Sequence, residues 1–319
     1  MPKRYKSENV FDAALDRLIN LYREGHRVLV SFSAGKDSGV CVELCILAAT
    51  MTDRLPVEVI MRDEEIMYPG TFEYAERIAS RPEVKFYWHY ACQPIVNVYN
   101  RKNPYFWVFD PLLKPDEWVR TPPDYAERIH EQNIQGLINN IKFPAPTGKD
   151  TYIVLGLRTS ESTNRYMGLL SSGSHLTRRL GDNGCYECRP IYDWEDGDIW
   201  KSIHDNKWDY NKAYDTMHRL GIHRDRLRIA PPTLTVAGID SMLMASRAWP
   251  LWFEKVCKRL QGVRLAAQFG KRSISPIRKL NETWEDCFYR TCINEAPEWI
   301  AERSKQAVSI VLKNHARHS

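Results

Sequence analysis

No apolar run in the 319 residues approaches the 18 or so that a membrane-crossing helix requires. The opening residues, Met1-Pro2-Lys3-Arg4, lack the apolar segment of a secretory signal. Both absences exclude membrane classes and lead us to expect a cytoplasmic protein without a membrane partner. Its eight cysteines then read as thiols or metal ligands, not as a disulfide framework. Internal repeats and low-complexity tracts are missing too, which argues against repeat arrays and long disordered tails. Acidic residues are absent from one stretch: Lys255 to Lys279 holds eight basic residues and no Asp or Glu. That segment could face the phosphates of nucleic acid or of a ribonucleoprotein through Lys255, Lys258, Arg259, Lys271 and Arg272; a solvated helical face explains it as well.

What is present is ordinary in bulk and informative in detail. With 43% hydrophobic and 27% charged residues, the chain is long enough for one large α/β domain with an appendage, or for two modest domains. The most informative stretch is residues 27–38. Val28, Leu29, Val30 and Phe32 form a short β-prone apolar run that reads as a buried strand. The run breaks at Ser33-Ala34-Gly35, and a helical pattern follows through Val40, Cys41, Leu44 and Cys45. Strand, small-residue loop and helix make a phosphate cradle: loop amides and the positive helix end face an anion, Lys36 adds a full charge, and the Ser33 and Ser38 hydroxyls donate. An ordinary βα turn is the bland alternative. The loop is not of the Walker A type, because Val30 stands where that pattern has its first glycine.

Further strands are expected at Val57–Met61, Val84–Tyr90, Tyr152–Leu157 and, as a fifth edge, Arg189–Tyr192. Helices alternate with them: residues 9–24 with Asn9 as cap, a segment through Tyr74, Ala75 and Ile78, and one starting near Asp193. This alternation implies α/β architecture, a doubly wound and mainly parallel five-stranded sheet with ligands at the strand C-termini. Residues 92–150 are irregular and aromatic, either a binding lid or a packed insertion. Beyond Pro231-Pro232 the pattern is helical (239–260, 284–293, 297–313), so a boundary is expected near 235. The expected units are a nucleotide-binding domain over 1–235 and a basic helical region over 236–319. Trp249, Trp252 and Trp284 in that region suit an oligomer interface as well as a core.

Several of these segments together resemble the phosphoadenylylsulfate (PAPS) reductase family of the PP-loop superfamily, the adenine-nucleotide α-hydrolases. Ser33-Ala34-Gly35-Lys36-Asp37-Ser38 is similar to that superfamily's Ser-Gly-Gly-Lys-Asp-Ser loop. Ala34 replaces the first glycine, a change that a negative φ would accommodate. Asp63 to Thr71 resembles an acidic strand end followed by an aromatic-Pro-x-Thr turn. Leu155-Gly156-Leu157-Arg158 with Glu161 and Arg165 resembles a Gly-x-Arg-x-x-Glu-x-x-x-Arg block. Arg189-Pro190-Ile191-Tyr192-Asp193-Trp194 with Asp198-Ile199-Trp200, then Trp208 to Tyr214, complete a likeness covering roughly residues 8–235. A narrower group, PAPS-reductase-like co-activators of the immunoglobulin-binding regulator type, shares the Pro-Ile-Tyr-Asp-Trp segment, Trp118-Val119-Arg120 and Leu227-Arg228-Ile229-Ala230.

The resemblance implies ATP with Mg²⁺ as cofactors, or a related adenylyl nucleotide as ligand, and cleavage between the α- and β-phosphates to give pyrophosphate and AMP or an adenylylated acceptor. It implies Lys36, Asp37 and Arg158 as catalytic residues. It implies a phosphate site of Ser31, Ser33, Gly35, Lys36, Ser38, Asp63, Gly156, Arg158, Glu161 and Arg165. Asp37 and Asp63 are the expected metal carboxylates, although Asp37 suits a helix cap equally. Arg158 and Arg165 suit bidentate anion contacts or, alternatively, pairing with Glu161. One departure separates the chain from the reductases, which act through a cysteine near the C-terminus: here the last is Cys292. A reductase would have to use Cys185 or Cys188, a Cys-x-x-Cys that also has the spacing of a zinc or iron–sulfur half-site. Cys287 and Cys292 lie five residues apart, about 140° around a helix axis, which suits joint ligation poorly. A nucleotide-dependent regulatory or nucleic-acid-associated accessory protein is the reading from another class.

Overall fold

The protein is described here by a computed structural model covering residues 7–100, 102–103, 105–129, 150–178, 185–224, 227–229, 232–233, 237–269 and 278–318. Helix α1 (Val10–Arg23) starts where the cap residue places it, with the Asp12 amide donating to Asn9 Oδ1 at 2.9 Å. Strand β1 (Arg27–Ser31) follows, then α2 (Lys36–Met51), β2 (Val57–Arg62), α3 (Thr71–Ala79) and β3 (Val84–Tyr90). Helix α2 is apolar around its whole circumference and buried along almost its whole length, as befits a central helix.

The chain then forms a hairpin of β4 (Gln93–Val96) and β5 (Tyr105–Val108), followed by β6 (Glu127–Arg128) and β7 (Thr151–Val154). Next come α4 (Thr163–Ser172), β8 (Leu176–Arg178), β9 (Cys185–Cys188), α5 (Asp196–Asp205) and α6 (Ala213–Arg219). Among the described residues the main sheet has seven strands in the order β6-β3-β2-β1-β7-β9-β8, parallel except for β8. The α/β class and the parallel sheet are as expected, and the strand count is corrected from five to seven. The two additions are edge strands of two and three residues, too short to show periodicity. The expected strand at 189–192 is corrected too: β9 ends at Cys188, and Ile191 is instead a fully buried loop residue. Among the described residues no helix is long and apolar enough to cross a membrane.

The helical region comprises α7 (Ala237–Ala248), α8 (Pro250–Arg259), α9 (Val263–Phe269), α10 (Trp284–Phe288) and α11 (Glu298–His318). The helix expected over 239–260 is interrupted before Pro250, which opens α8 at a position where its missing N–H is harmless. The helix expected over 284–293 turns π-helical from Tyr289 to Asn294. Two apolar cores result. One underlies the main sheet, around Leu18, Val30, Leu44, Val59 and Trp194. The other joins the turn after β2 (Tyr68), the β4–β5 hairpin (Phe106, Phe109) and the tail helices (Phe253, Val263). Within the 92–150 segment Ile95, Phe106, Phe109 and Val119 pack into this second core, Leu112 and Tyr125 are exposed, and residues 130–149 lie outside the described residues. Trp249 and Trp252 belong to this second core, with ring centroids 5.5 and 5.6 Å from Tyr68, while Trp284 is exposed.

Chain order reverses between β1 and β7: β2 and β3 are laid down on one side of β1, then the chain crosses to the other. In a parallel sheet the loops leaving two such strands diverge and leave a crevice at their C-terminal ends.

Candidate functional site

A cavity of about 330 Å³ occupies that crevice. The loop after β1 contributes Ser33, Gly35 and Lys36, the start of α2 contributes Asp37 and Ser38, and Ser31 lines it from the strand end. The loop after β7 contributes Leu155 to Leu157, with Glu161 and Arg165 beyond it. Gly156 is there because nothing larger fits: an added Cβ would come within 2.8 Å of the Asp37 and Ser38 backbone. That close approach joins the two loops into one wall.

The loop is held by its own hydroxyls. Ser33 Oγ lies 3.1 Å from Ser38 Oγ, the Ser33 amide donates to Ser38 Oγ at 3.2 Å, and Ser38 Oγ donates to the Gly35 carbonyl at 3.1 Å. Ala34 adopts φ +55°, contrary to the negative φ expected for the residue replacing glycine. Its carbonyl accepts from Asn211 Nδ2 at 3.0 Å, so the buried surroundings hold the left-handed turn.

Lys36 is buried. Its Nζ donates to the Leu227 carbonyl at 3.1 Å and pairs with Asp196 Oδ1 at 3.0 Å, with Asp37 Oδ2 at 4.0 Å. Its amide donates to the Tyr214 hydroxyl at 3.0 Å, and the ammonium lies 5.6 Å from that ring's centroid. Burial pushes the Tyr214 phenol up, so the group stays a neutral hydroxyl. Arg158, equally buried, donates from Nε to Asp37 Oδ1 at 2.5 Å and from Nη2 to Asp196 Oδ1 at 3.2 Å, with Glu161 Oε1 at 3.7 Å. Arg165 pairs with Glu161, as the i,i+4 alternative foresaw. Partial burial, together with nearby Arg228 and Arg158, lowers the Arg165 guanidinium from its ordinary value, with Asp37 opposing. The cations repel one another there, which leaves the pocket receptive to a polyanion.

Asp63 is not brought to this cavity. It ends β2 fully buried, where Arg120 pairs with it, Trp88 Nε1 donates to it at 2.9 Å and the Glu65 amide donates at 3.0 Å. Both its oxygens are occupied by the chain itself, which corrects its expected role as a metal or phosphate ligand. Arg259 is corrected as well. It turns inward to Glu65 Oε1 at 2.8 Å and to the Trp107 carbonyl, so it is no nucleic-acid contact. Lys255 and Lys258 are exposed on α8, while Lys271 and Arg272 lie outside the described residues. Cys188 is fully buried, and burial pushes its thiol up to about 12; the Cys185 side chain lies outside the described residues.

Sequence reasoning did not nominate Asp196, Tyr214, Leu227 or Arg228 for the site. Tyr214 and Leu227–Arg228 do fall in segments that carry the family likeness, and that was the available signal. Asp196 opens α5, and its approach to Lys36 is a long-range contact without local signature.

No family model matches the chain. A relative, the uncharacterized protein YbdN of Escherichia coli strain K12, is 25% identical over 336 aligned positions that cover 95% of this chain and 79% of the relative. Among solved structures, FMN adenylyltransferase of Candida glabrata in complex with ATP aligns at 12% identity with a TM-score of 0.38. That alignment covers 66% of this chain and 62% of the enzyme, so the chain spans about three-fifths of the enzyme's length. PAPS reductase of Candida auris aligns at 13% identity with a TM-score of 0.35, covering 72% of this chain and 98% of the enzyme. The U34-tRNA thiolase NcsA of Methanococcus maripaludis, with its [4Fe-4S] cluster, aligns at 12% identity with a TM-score of 0.32, covering 85% and 83%.

Proposed function

We propose that the chain binds ATP, or a related adenylyl nucleotide, by its phosphates in the crevice between β1 and β7. It then breaks the bond between the α- and β-phosphates, giving pyrophosphate and AMP or an adenylylated acceptor. The observation that carries this reading is convergence: the serine-rich loop, the start of α2, Lys36 and Arg165 line one cavity at the switch point of a parallel sheet, with Arg158 directly behind it. Charge develops on the departing pyrophosphate, and a buried ammonium flanked by guanidinium groups and hydroxyls is suited to stabilise it. An incoming phosphate takes over donors now held by the Tyr214 hydroxyl, the Leu227 carbonyl and Asp196.

A magnesium ion carried on the nucleotide would neutralise phosphate charge. Asp37 is the cavity carboxylate suited to hold it, since Asp63 is enclosed by Arg120 and Trp88. Among the described residues no group of three metal-ligating side chains is gathered. A sulfonucleotide reductase working through Cys188 is disfavoured, because a buried thiol with a raised pKa is a poor nucleophile.

The test is incubation with α-labelled ATP, scored for pyrophosphate and AMP. Lys36→Ala is expected to lower pyrophosphate release by about a hundredfold or more, with the circular dichroism spectrum unchanged. Sulfite release from PAPS without pyrophosphate release from ATP would overturn the reading.

A further inference from the structure

Helix α11 outruns the body that supports it. In its first half Ala301 is buried, Ile300 and Ser304 are half-buried, and the Trp299 ring lies 4.9 Å from that of Tyr105 in β5. Steps of three and four residues carry the same side of the helix on through Ala307, Val308, Val311 and Leu312. There the cover ends. Val311 is 54% and Leu312 63% exposed, and Ile310 widens the apolar arc at 59%. From residue 305 to residue 316 only Val308 is half-buried, and the others are exposed. A stretch of about 18 Å is marginal as a helix in water unless an apolar face is packed.

A partner for that face has a place to sit. Phe288 of α10, with Tyr289 and Ile293 beyond it, meets Val308 and Leu312 of α11 along a groove of about 340 Å³. Tyr289 and Ile293 belong to the π-helical turn, a rare geometry that is frequent at functional positions. Lys305 and Lys313 also line the groove, and no acid does. Among the described residues neither lysine has an ion-pair partner. They are eight residues apart, about 12 Å along the axis. The charge of the whole end is one-sided: residues 303–319 hold four Lys or Arg and no Asp or Glu.

We propose that this groove docks an acidic amphipathic helix of another protein. Its apolar residues lie on Val308, Leu312 and the π-helical floor, and two carboxylates about 12 Å apart meet Lys305 and Lys313. The inference does not depend on the nucleotide reading. Charge complementarity selects this occupant. A second copy pairing through the same face would bring lysines to a stretch without any acid, and like charges set against each other oppose association. A lipid surface is flat, whereas the apolar side chains here line a groove between two helices. Nucleic acid would satisfy the lysines but leave the apolar floor between them uncovered.

The full-length chain is titrated by fluorescence anisotropy with two labelled synthetic helical peptides at about 0.15 M salt. Both carry leucines along one face; one has glutamates seven and eight residues apart beside that face, and the other has lysines there. The glutamate peptide is expected to bind about tenfold tighter than the lysine peptide. Lys305 and Lys313 are exposed, so their joint reversal, Lys305→Glu with Lys313→Glu, leaves the fold intact by circular dichroism and should invert the preference. Leu312→Asp should abolish binding of the glutamate peptide. Binding of neither peptide, equal binding of both, or a preference that survives the charge reversal overturns the inference. Sedimentation equilibrium of the chain alone should show no association that Leu312→Asp removes; such association would overturn it in favour of a second copy. Co-sedimentation with phosphatidylserine vesicles that Leu312→Asp removes would overturn it in favour of a lipid surface.

Discussion

Neighbouring strands β1 and β2 end in similar chemistry with opposite outcomes. After β1, Asp37, Glu161 and Asp196 meet Lys36, Arg158 and Arg165 around a cavity. After β2, Asp63 and Glu65 meet Arg120 and Arg259 with both carboxylates at 0% exposure. In the enclosed set every role is filled: Glu65 accepts from the Phe109 amide at 2.7 Å, the Val119 amide at 3.1 Å and Arg259. In the open set partners are shared, so Arg158 reaches Asp37, Asp196 and Glu161 at once. Shared partners that line an open cavity can be exchanged for phosphate oxygens at modest cost, whereas dedicated, fully enclosed ones cannot. Acid–arginine pairing therefore does not by itself mark a site; access and interchangeability do.

The largest effect is expected from breaking the enclosed set. Glu65→Ala strands a buried guanidinium and two amides, and should destabilise the fold by about 3–5 kcal/mol in urea unfolding. Pyrophosphate release per folded molecule should persist in conditions where the variant stays folded. A matched pair sharpens the contrast. Asp63→Asn should reduce stability by about 2 kcal/mol with nucleotide affinity unaltered. Asp37→Asn should do the reverse, weakening nucleotide turnover about tenfold at nearly constant stability.

Acid should also act on the β2 side. The His89 carbonyl accepts from the Asp63 amide at 2.8 Å, and burial lowers the His89 imidazole from its ordinary value, with Glu127 opposing. The unfolded chain then binds the proton more readily than the folded one. The stability this provides is present above about pH 6.5 and is lost as pH falls from there through the lowered folded value. The urea midpoint should drop between pH 7.5 and 5.5, and His89→Gln should shrink the drop. The smallest effect concerns the loop. Ala34→Gly relieves a left-handed alanine but loses a buried methyl and frees the unfolded chain, so stability should stay within about 0.5 kcal/mol in the same assay.

The elements that could be read from the chain were those with a local cause. Helix α1 shows its cap and stripe, β1 to β3 show dense β-branched and aromatic runs, and the Ser33–Ser38 loop shows its small residues between strand and helix. Strands β6 and β8 are too short to carry a period. The buried Ile191 and half-buried Tyr192 imitated a strand because an apolar pair says where a residue packs, not how its backbone runs. At the site, Lys36, Asp37, Arg158 and Arg165 lie on or beside the loops leaving β1 and β7, so the α/β pattern was enough to place them together. Asp63 and Arg259 were misread for a shared reason: nothing local distinguishes a charge that faces solvent from one whose counter-charge arrives from far along the chain.

That distance has a bearing on how the protein is made. Glu65 receives its guanidinium from Arg259, 194 residues later. The strands before it can pair while synthesis is under way, since their contacts lie close in sequence. Until translation passes residue 259, the nascent chain carries an unneutralised carboxylate at the edge of its second core. Truncated forms ending near 235 should accordingly be recovered as aggregates or as chaperone clients.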